Sequence, residues 1–109
     1  MKTLAFIPAR SGSKGVIDKN IRNLNGIPLL AYSVHIAQLC FKQGIFSDVL
    51  VSTDSKHYLE KIKQTGYTNQ YIRPKELALD ESPTIDAIIH ALNDYAKKNI
   101  FFDNVMILQ

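Results

Sequence analysis

Leu4-Ala5-Phe6-Ile7-Pro8-Ala9-Arg10-Ser11-Gly12-Ser13-Lys14-Gly15 begins as four apolar residues and then turns abruptly small and basic. An apolar run this short, closed by Pro8 and Arg10, reads as a buried strand. Gly12 and Gly15 let the backbone approach a ligand closely. Arg10, Lys14 and Lys19, with Arg22 just beyond, reach an anion from several sides. A strand that empties into such a loop outlines a polyphosphate cradle. On residue types alone, a solvated Gly-Ser turn accounts for the stretch equally well. Neither phosphate-loop signature fits, since there is no G-x-x-x-x-G-K-[ST] and no G-x-G-x-x-G.

The charge is as local as the loop. Five of the 13 basic residues and one of the 10 acidic ones, Asp18, lie in residues 1–25, so this stretch carries +4 and the rest −1. One basic loop suits a compact polyanion such as a nucleoside triphosphate. An extended nucleic-acid backbone would want a basic face interleaved with aromatic residues, so nucleic acid is not expected as a partner. The chain has 109 residues, 46% of them apolar and 21% charged, which gives one domain, 1–109, with one core. The lone Cys40 excludes an internal disulfide and a cysteine metal site, and fits a reducing compartment. No signal peptide and no 18-residue apolar span is present, so a cytoplasmic location without membrane attachment is expected.

Beyond the loop, Asn25-Gly26-Ile27-Pro28 reads as a turn. A helix over Leu29–Lys42 follows, with Leu30, Ser33, Val34, Ala37, Cys40 and Phe41 on its inner face and Gly44 at its end. Residues 48–53 form a β-branched central strand, and Asp54-Ser55 supplies an N-cap for a helix over 56–65 that Gly66 stops. Residues 68–73 read as an edge strand ended by Pro74. Ser82 at the N-cap and Pro83 at the first helical position open a last helix, with Ile85, Ile88, Ile89, Leu92 and Tyr95 at helical spacing. A buried strand over 104–108 leads to Gln109.

Strand and helix alternate, which gives an α/β fold with a parallel sheet and right-handed crossovers. With the strands numbered in chain order, 3-2-1-4 is the simplest arrangement, and the first strand is central. Ligands of such sheets bind beyond the carboxyl ends of the strands, which brings the loop 10–20, Asp54 and Gln109 to one edge. Asp54 reads as a helix cap or, less simply, as a metal ligand. His35, His57 and His90 have no ligand spacing, and no Ser/His/Asp constellation supports hydrolytic nucleophilic catalysis.

The string Ile7-Pro8-Ala9-Arg10-x-Gly12-Ser13-Lys14-Gly15, then Lys19-Asn20 and Gly26-Ile27-Pro28-Leu29, closely resembles the opening of the acylneuraminate cytidylyltransferases, the CMP-sialic acid synthetases. Arg73-Pro74-Lys75-Glu76-Leu77-Ala78 resembles the family's Arg-Pro-x-x-Leu-Ala segment, with Asp80, Ser82 and Thr84 at the family's spacing. One departure is Ile17, where many members carry proline.

The resemblance implies a Rossmann-like nucleotidyltransferase fold, a mainly parallel sheet with helices on both faces, here truncated after the fourth strand as the N-terminal half of the family's domain. It implies transfer of CMP from CTP to a sialic acid or related nonulosonic acid, with release of pyrophosphate and a place in surface polysaccharide biosynthesis. Arg10, Lys14 and Lys19 then face the triphosphate as the catalytic cations, with Ala9, Ser13 and Asn20 alongside. Arg73, Ser82 and Thr84 surround the cytosine, and Gln109 lies near the nucleotide. Mg²⁺ is expected with its ligands outside this chain, as is a homodimer for the full-length protein, and residues 1–109 alone are expected to be inactive. The alternatives are a non-catalytic nucleotide-binding fragment and a sugar nucleotidyltransferase using another base.

Overall fold

The computed structural model describes residues 1–11, 23–24 and 27–108. Its frame is a three-stranded parallel sheet in the order β4-β1-β5, with β1 (Thr3–Pro8) in the middle, β4 (Asp48–Ser52) on one side and β5 (Asn104–Ile107) on the other. The register sets Phe6 beside Leu50 and Ile107, and Pro8 beside Ser52. Two further short strands, β2 (Asn23–Leu24) and β3 (Ile27–Pro28), pair antiparallel. Of the turn expected over Asn25-Gly26-Ile27-Pro28, the first two residues lie outside the described residues and the last two form β3.

Alternation along β1 divides the core in two. Ala5 and Ile7 pack on one face with α1 (Leu29–Lys42) and α2 (Lys56–Lys61), through Leu30, Val34, Ala37, Tyr58, Leu59 and Ile62. Leu4 and Phe6 pack on the other face with α3 (Thr84–Ala96), through Ala87, Ile88, Ala91 and Tyr95. The sheet is thus covered on both faces, as expected. Leu4, Ala5 and Phe6 are fully buried, and each large one contributes about 1.5–3 kcal/mol. Tyr95 adds a tie across the layers, donating its hydroxyl to Asp48 Oδ2 at 2.8 Å and meeting Phe102 edge to face.

The helix ends follow local chemistry. α1 closes in a Schellman arrangement, Ile45 N–H to Cys40 C=O and Gly44 N–H to Phe41 C=O, with Gly44 at φ 79°. Ser55 caps α2 by accepting from Tyr58 N–H. α2 ends at Lys61, and 63–65 tighten into a 3-10 turn instead of continuing the α-helix. Phe41, placed inward by periodicity, is exposed, and Ala31 takes up the inner face instead.

Three further expectations are corrected. Residues 68–73 form no strand, so the order 3-2-1-4 lacks its outer member, and the last strand is the third of the sheet rather than the fourth. Local side-chain bonds win over a ladder there: Asn69 Oδ1 accepts from Tyr71 N–H, and Gln70 Nε2 donates to Thr68 C=O. The outer edge of β4 is met instead by the end of this segment together with Tyr67 and Asp48. Val51 N–H donates to the Tyr67 hydroxyl at 2.9 Å, Thr53 C=O accepts from Arg73 N–H at 2.8 Å, and Val49 N–H is taken by Asp48 Oδ1.

The second correction concerns Ser82, which does not cap α3. The residue before the helix is Pro83, and the Ser82 hydroxyl accepts from Leu79 N–H and donates to Glu76 C=O, closing the preceding turn. The third concerns β5, expected to be buried, which is largely exposed, with Met106 and Ile107 on the surface. No helix among the described residues is long and apolar enough to cross a membrane.

Candidate functional site at the carboxyl edge of the sheet

The carboxyl ends of β1 and β4 lie side by side, and the charged residues at this edge are tied to them. Ala9, fully buried, donates its N–H to Ser52 C=O at 2.9 Å and so extends the β1–β4 pairing past the strands. Ser11 is pinned to the end of β4 as well: its N–H meets Asp54 Oδ1 and its hydroxyl meets Asp54 Oδ2, both at 2.8 Å. Arg10, between these two anchored residues, reaches to the other side, and its Nη1 lies 3.0 Å from Asp80 Oδ1.

Arg73 comes to the same edge from behind. It is 4% exposed, yet its guanidinium is well satisfied: Nε donates to Ser52 Oγ and Nη2 to Ser52 C=O, both at 2.8 Å, and Nη1 donates to Leu77 C=O at 3.3 Å. Burial pulls this guanidinium below its ordinary pKa, and the charge of Asp54 works against that pull. For Asp54, burial works to raise the pKa. The Ser11 hydrogen bonds and the nearby Arg73 charge outweigh it and hold the carboxyl below its usual range. The charge of Arg10 nearby adds to the downward pull on Arg73. Two guanidinium groups and two carboxylates therefore share the edge.

Of the residues singled out in the sequence, the structure brings Ala9, Arg10, Arg73 and the turn holding Ser82 to this edge. Ser82 is half-buried, and Thr84 is exposed at the first position of α3. Ser13, Lys14, Lys19, Asn20 and Gln109 lie outside the described residues. Asp54 does not cap α2, because Ser55 does, and its carboxylate serves Ser11. Sequence reasoning did not pair Arg10 with Asp80. Seventy residues separate them and no local pattern links them, although Asp80 falls within the Arg73 to Thr84 segment.

Among the described residues, no group of three or more His, Cys, Asp or Glu side chains is placed to hold a metal ion. Asp54 and Asp80 are taken up by Ser11 and Arg10, so the described part of this edge does not fit a Mg²⁺ site.

A parallel sheet whose central strand delivers an arginine to its carboxyl edge, beside a buried arginine fastened to the neighbouring strand, is a frame on which α/β proteins bind ligands. A family model for cytidylyltransferases matches residues 4–106, and the chain belongs to that family. It is 38% identical over 109 residues to CMP-N,N'-diacetyllegionaminic acid synthase of Legionella pneumophila, covering 100% of this chain and 46% of that protein. It is 40% identical over 100 residues to N-acylneuraminate cytidylyltransferase of Escherichia coli, covering 92% of this chain and 23% of that protein. The chain thus spans less than half the length of these curated relatives. Its fold matches a structure of CMP:2-keto-3-deoxy-manno-octonic acid synthetase complexed with CTP, with a TM-score of 0.72 and 19% identity, over 100% of this chain and 40% of the other.

Proposed function

We propose that residues 1–109 are the CTP-binding part of a cytidylyltransferase that transfers CMP to a nonulosonic acid of the sialic or legionaminic type. The observation that carries this reading is the place of Arg10, at the carboxyl end of the central strand in a chain of the cytidylyltransferase family. In the reaction, an acceptor hydroxyl attacks the α-phosphorus of CTP and releases its proton to water. The bond from that phosphorus to the bridging oxygen breaks, and pyrophosphate leaves with the negative charge. A fixed guanidinium at the phosphates favours that departure, because charge builds on the oxygens it contacts.

Lys14 and Lys19 are proposed to share this work from the same loop, with Ala9, Ser13 and Asn20 alongside and Gln109 near the nucleotide. Arg73, Ser82 and Thr84 are proposed to frame the base. The hydrogen bonds of Arg73 and Ser82 support a framing role in which they hold the 73–82 segment in shape at the site's border. Mg²⁺, if the reaction uses it, would take its ligands from outside the described residues, and no step is routed through it. A soluble homodimer acting in surface polysaccharide synthesis is the corresponding proposal for the whole protein.

Calorimetric titration tests the reading. CTP is expected to bind this chain more tightly than UTP. Arg10→Ala is expected to weaken CTP by about 1.5–3 kcal/mol, the value of a hydrogen bond to a charged group. Unchanged affinity in Arg10→Ala refutes the phosphate assignment. Equal displacement by UTP and CTP favours a nucleotidyltransferase of different base preference.

A further inference from the structure

We propose that Asp80 is the counter-ion of Arg10 in the free protein and that a phosphate group of the incoming nucleotide replaces it. This rests on the reading of Arg10 as a phosphate contact and assigns a role to a residue outside the set that faces the nucleotide.

The exchange is built into the geometry. The backbone on either side of Arg10 is fixed, Ala9 by Ser52 C=O and Ser11 by both oxygens of Asp54, so the guanidinium can change partner without moving the main chain. Asp80 is equally replaceable from its own side. The turn that carries it is closed by the Ser82 hydroxyl, which binds Leu79 N–H and Glu76 C=O, and those bonds do not depend on the ion pair.

The energetics favour the exchange. The side chains of Arg10 and Asp80 are 26% and 40% exposed, and ion pairs this open to water are weak. A phosphate offers the guanidinium fork two oxygens and more charge than one carboxylate. Charge balance explains why the carboxylate is there at all. Two guanidinium groups stand at this edge; the Asp54 carboxylate offsets that of Arg73, and Asp80 offsets that of Arg10 until an anion arrives. Asp80 then lowers affinity for every phosphate ligand by the amount needed to break the pair.

Inorganic pyrophosphate titrated into the unmodified chain, Asp80→Asn and Asp80→Glu is the test. The expected result is tighter binding in Asp80→Asn, by about threefold to fivefold, and near-unchanged binding in Asp80→Glu, which still competes. A general loss of negative charge would also tighten binding, so the Arg10 guanidinium resonance is followed by NMR. Between the unmodified chain and Asp80→Asn it should differ without ligand and coincide at saturation. Weaker or unchanged binding in Asp80→Asn overturns the proposal, as does an Arg10 signal that stays different at saturation. If the unmodified chain takes no pyrophosphate, the phosphate site itself fails and this inference with it. If the chain binds but Asp80→Asn does not tighten, the inference alone fails.

Discussion

Replacing Arg73 by methionine separates two roles that this residue could play. Methionine keeps much of the aliphatic stem and removes the charged fork. The loss is two charge-assisted bonds at 2.8 Å, to Ser52 Oγ and Ser52 C=O, and a longer one to Leu77 C=O. Bonds to charged groups contribute about 1.5–3 kcal/mol each. Against this, the folded state no longer bears the cost of desolvating a guanidinium that is 4% exposed. Ser52 C=O also keeps its bond from Ala9 N–H, and Thr53 C=O keeps the bond from the backbone N–H of residue 73. The expected net destabilisation is about 2–4 kcal/mol. With a urea dependence of about 2 kcal/mol per molar, the unfolding midpoint should fall by roughly 1–2 M. Ser52→Ala should cost less, and the double variant should be less than additive because the two side chains share one bond. An unchanged midpoint in Arg73→Met, together with lost CTP affinity, would refute the structural role and leave Arg73 as a base contact alone.

Two further outcomes are expected. Tyr67→Phe leaves the N–H of Val51, a fully buried residue, without its acceptor and should destabilise by about 1–3 kcal/mol in the same urea experiment, with little change in CTP affinity. Asp54 has a folded-state pKa below its ordinary 3.8, so its contribution is present above that value and is lost as pH falls through the lower folded value. Asp54→Asn should therefore flatten the acid limb of a stability-versus-pH curve below about pH 4, and an acid limb as steep as that of the unmodified chain would count against the Ser11–Asp54 contact.

What could be read from the sequence was what repeats locally. Leu4 to Ile7, the run around Val49 to Val51, and the 3.6-residue spacing of Leu30, Val34 and Ala37 each announce an element and its inner face. Thr68 to Arg73 misled because threonine, tyrosine and isoleucine suit a strand by composition. Here the Tyr67 hydroxyl and the Arg73 backbone serve a neighbouring strand's edge instead. Ser82 beside Pro83 carries the composition of a helix start, but its hydroxyl has a nearer acceptor and donor in the turn behind it. Arg10 was recognisable from its place in a basic loop. Its partner was not, because a contact across 70 residues leaves no periodic trace. The same holds for Asp54, whose sequence neighbours suggest a cap and whose actual partner is Ser11.

The two margins of the sheet are unequal. On the β4 side, the N–H groups of Val49 and Val51 and the C=O of Thr53 are already engaged, by Asp48, Tyr67 and Arg73. A new strand would have to displace those partners. On the β5 side, pairing among the described residues comes from β1 alone, and Met106 and Ile107 are about half exposed. Among the described residues the open margin of the sheet is therefore that of β5, and a joining strand is expected to extend it there. A lysine on the outer side of β5 should slow self-association of the isolated chain, whereas the same change beside β4 should not.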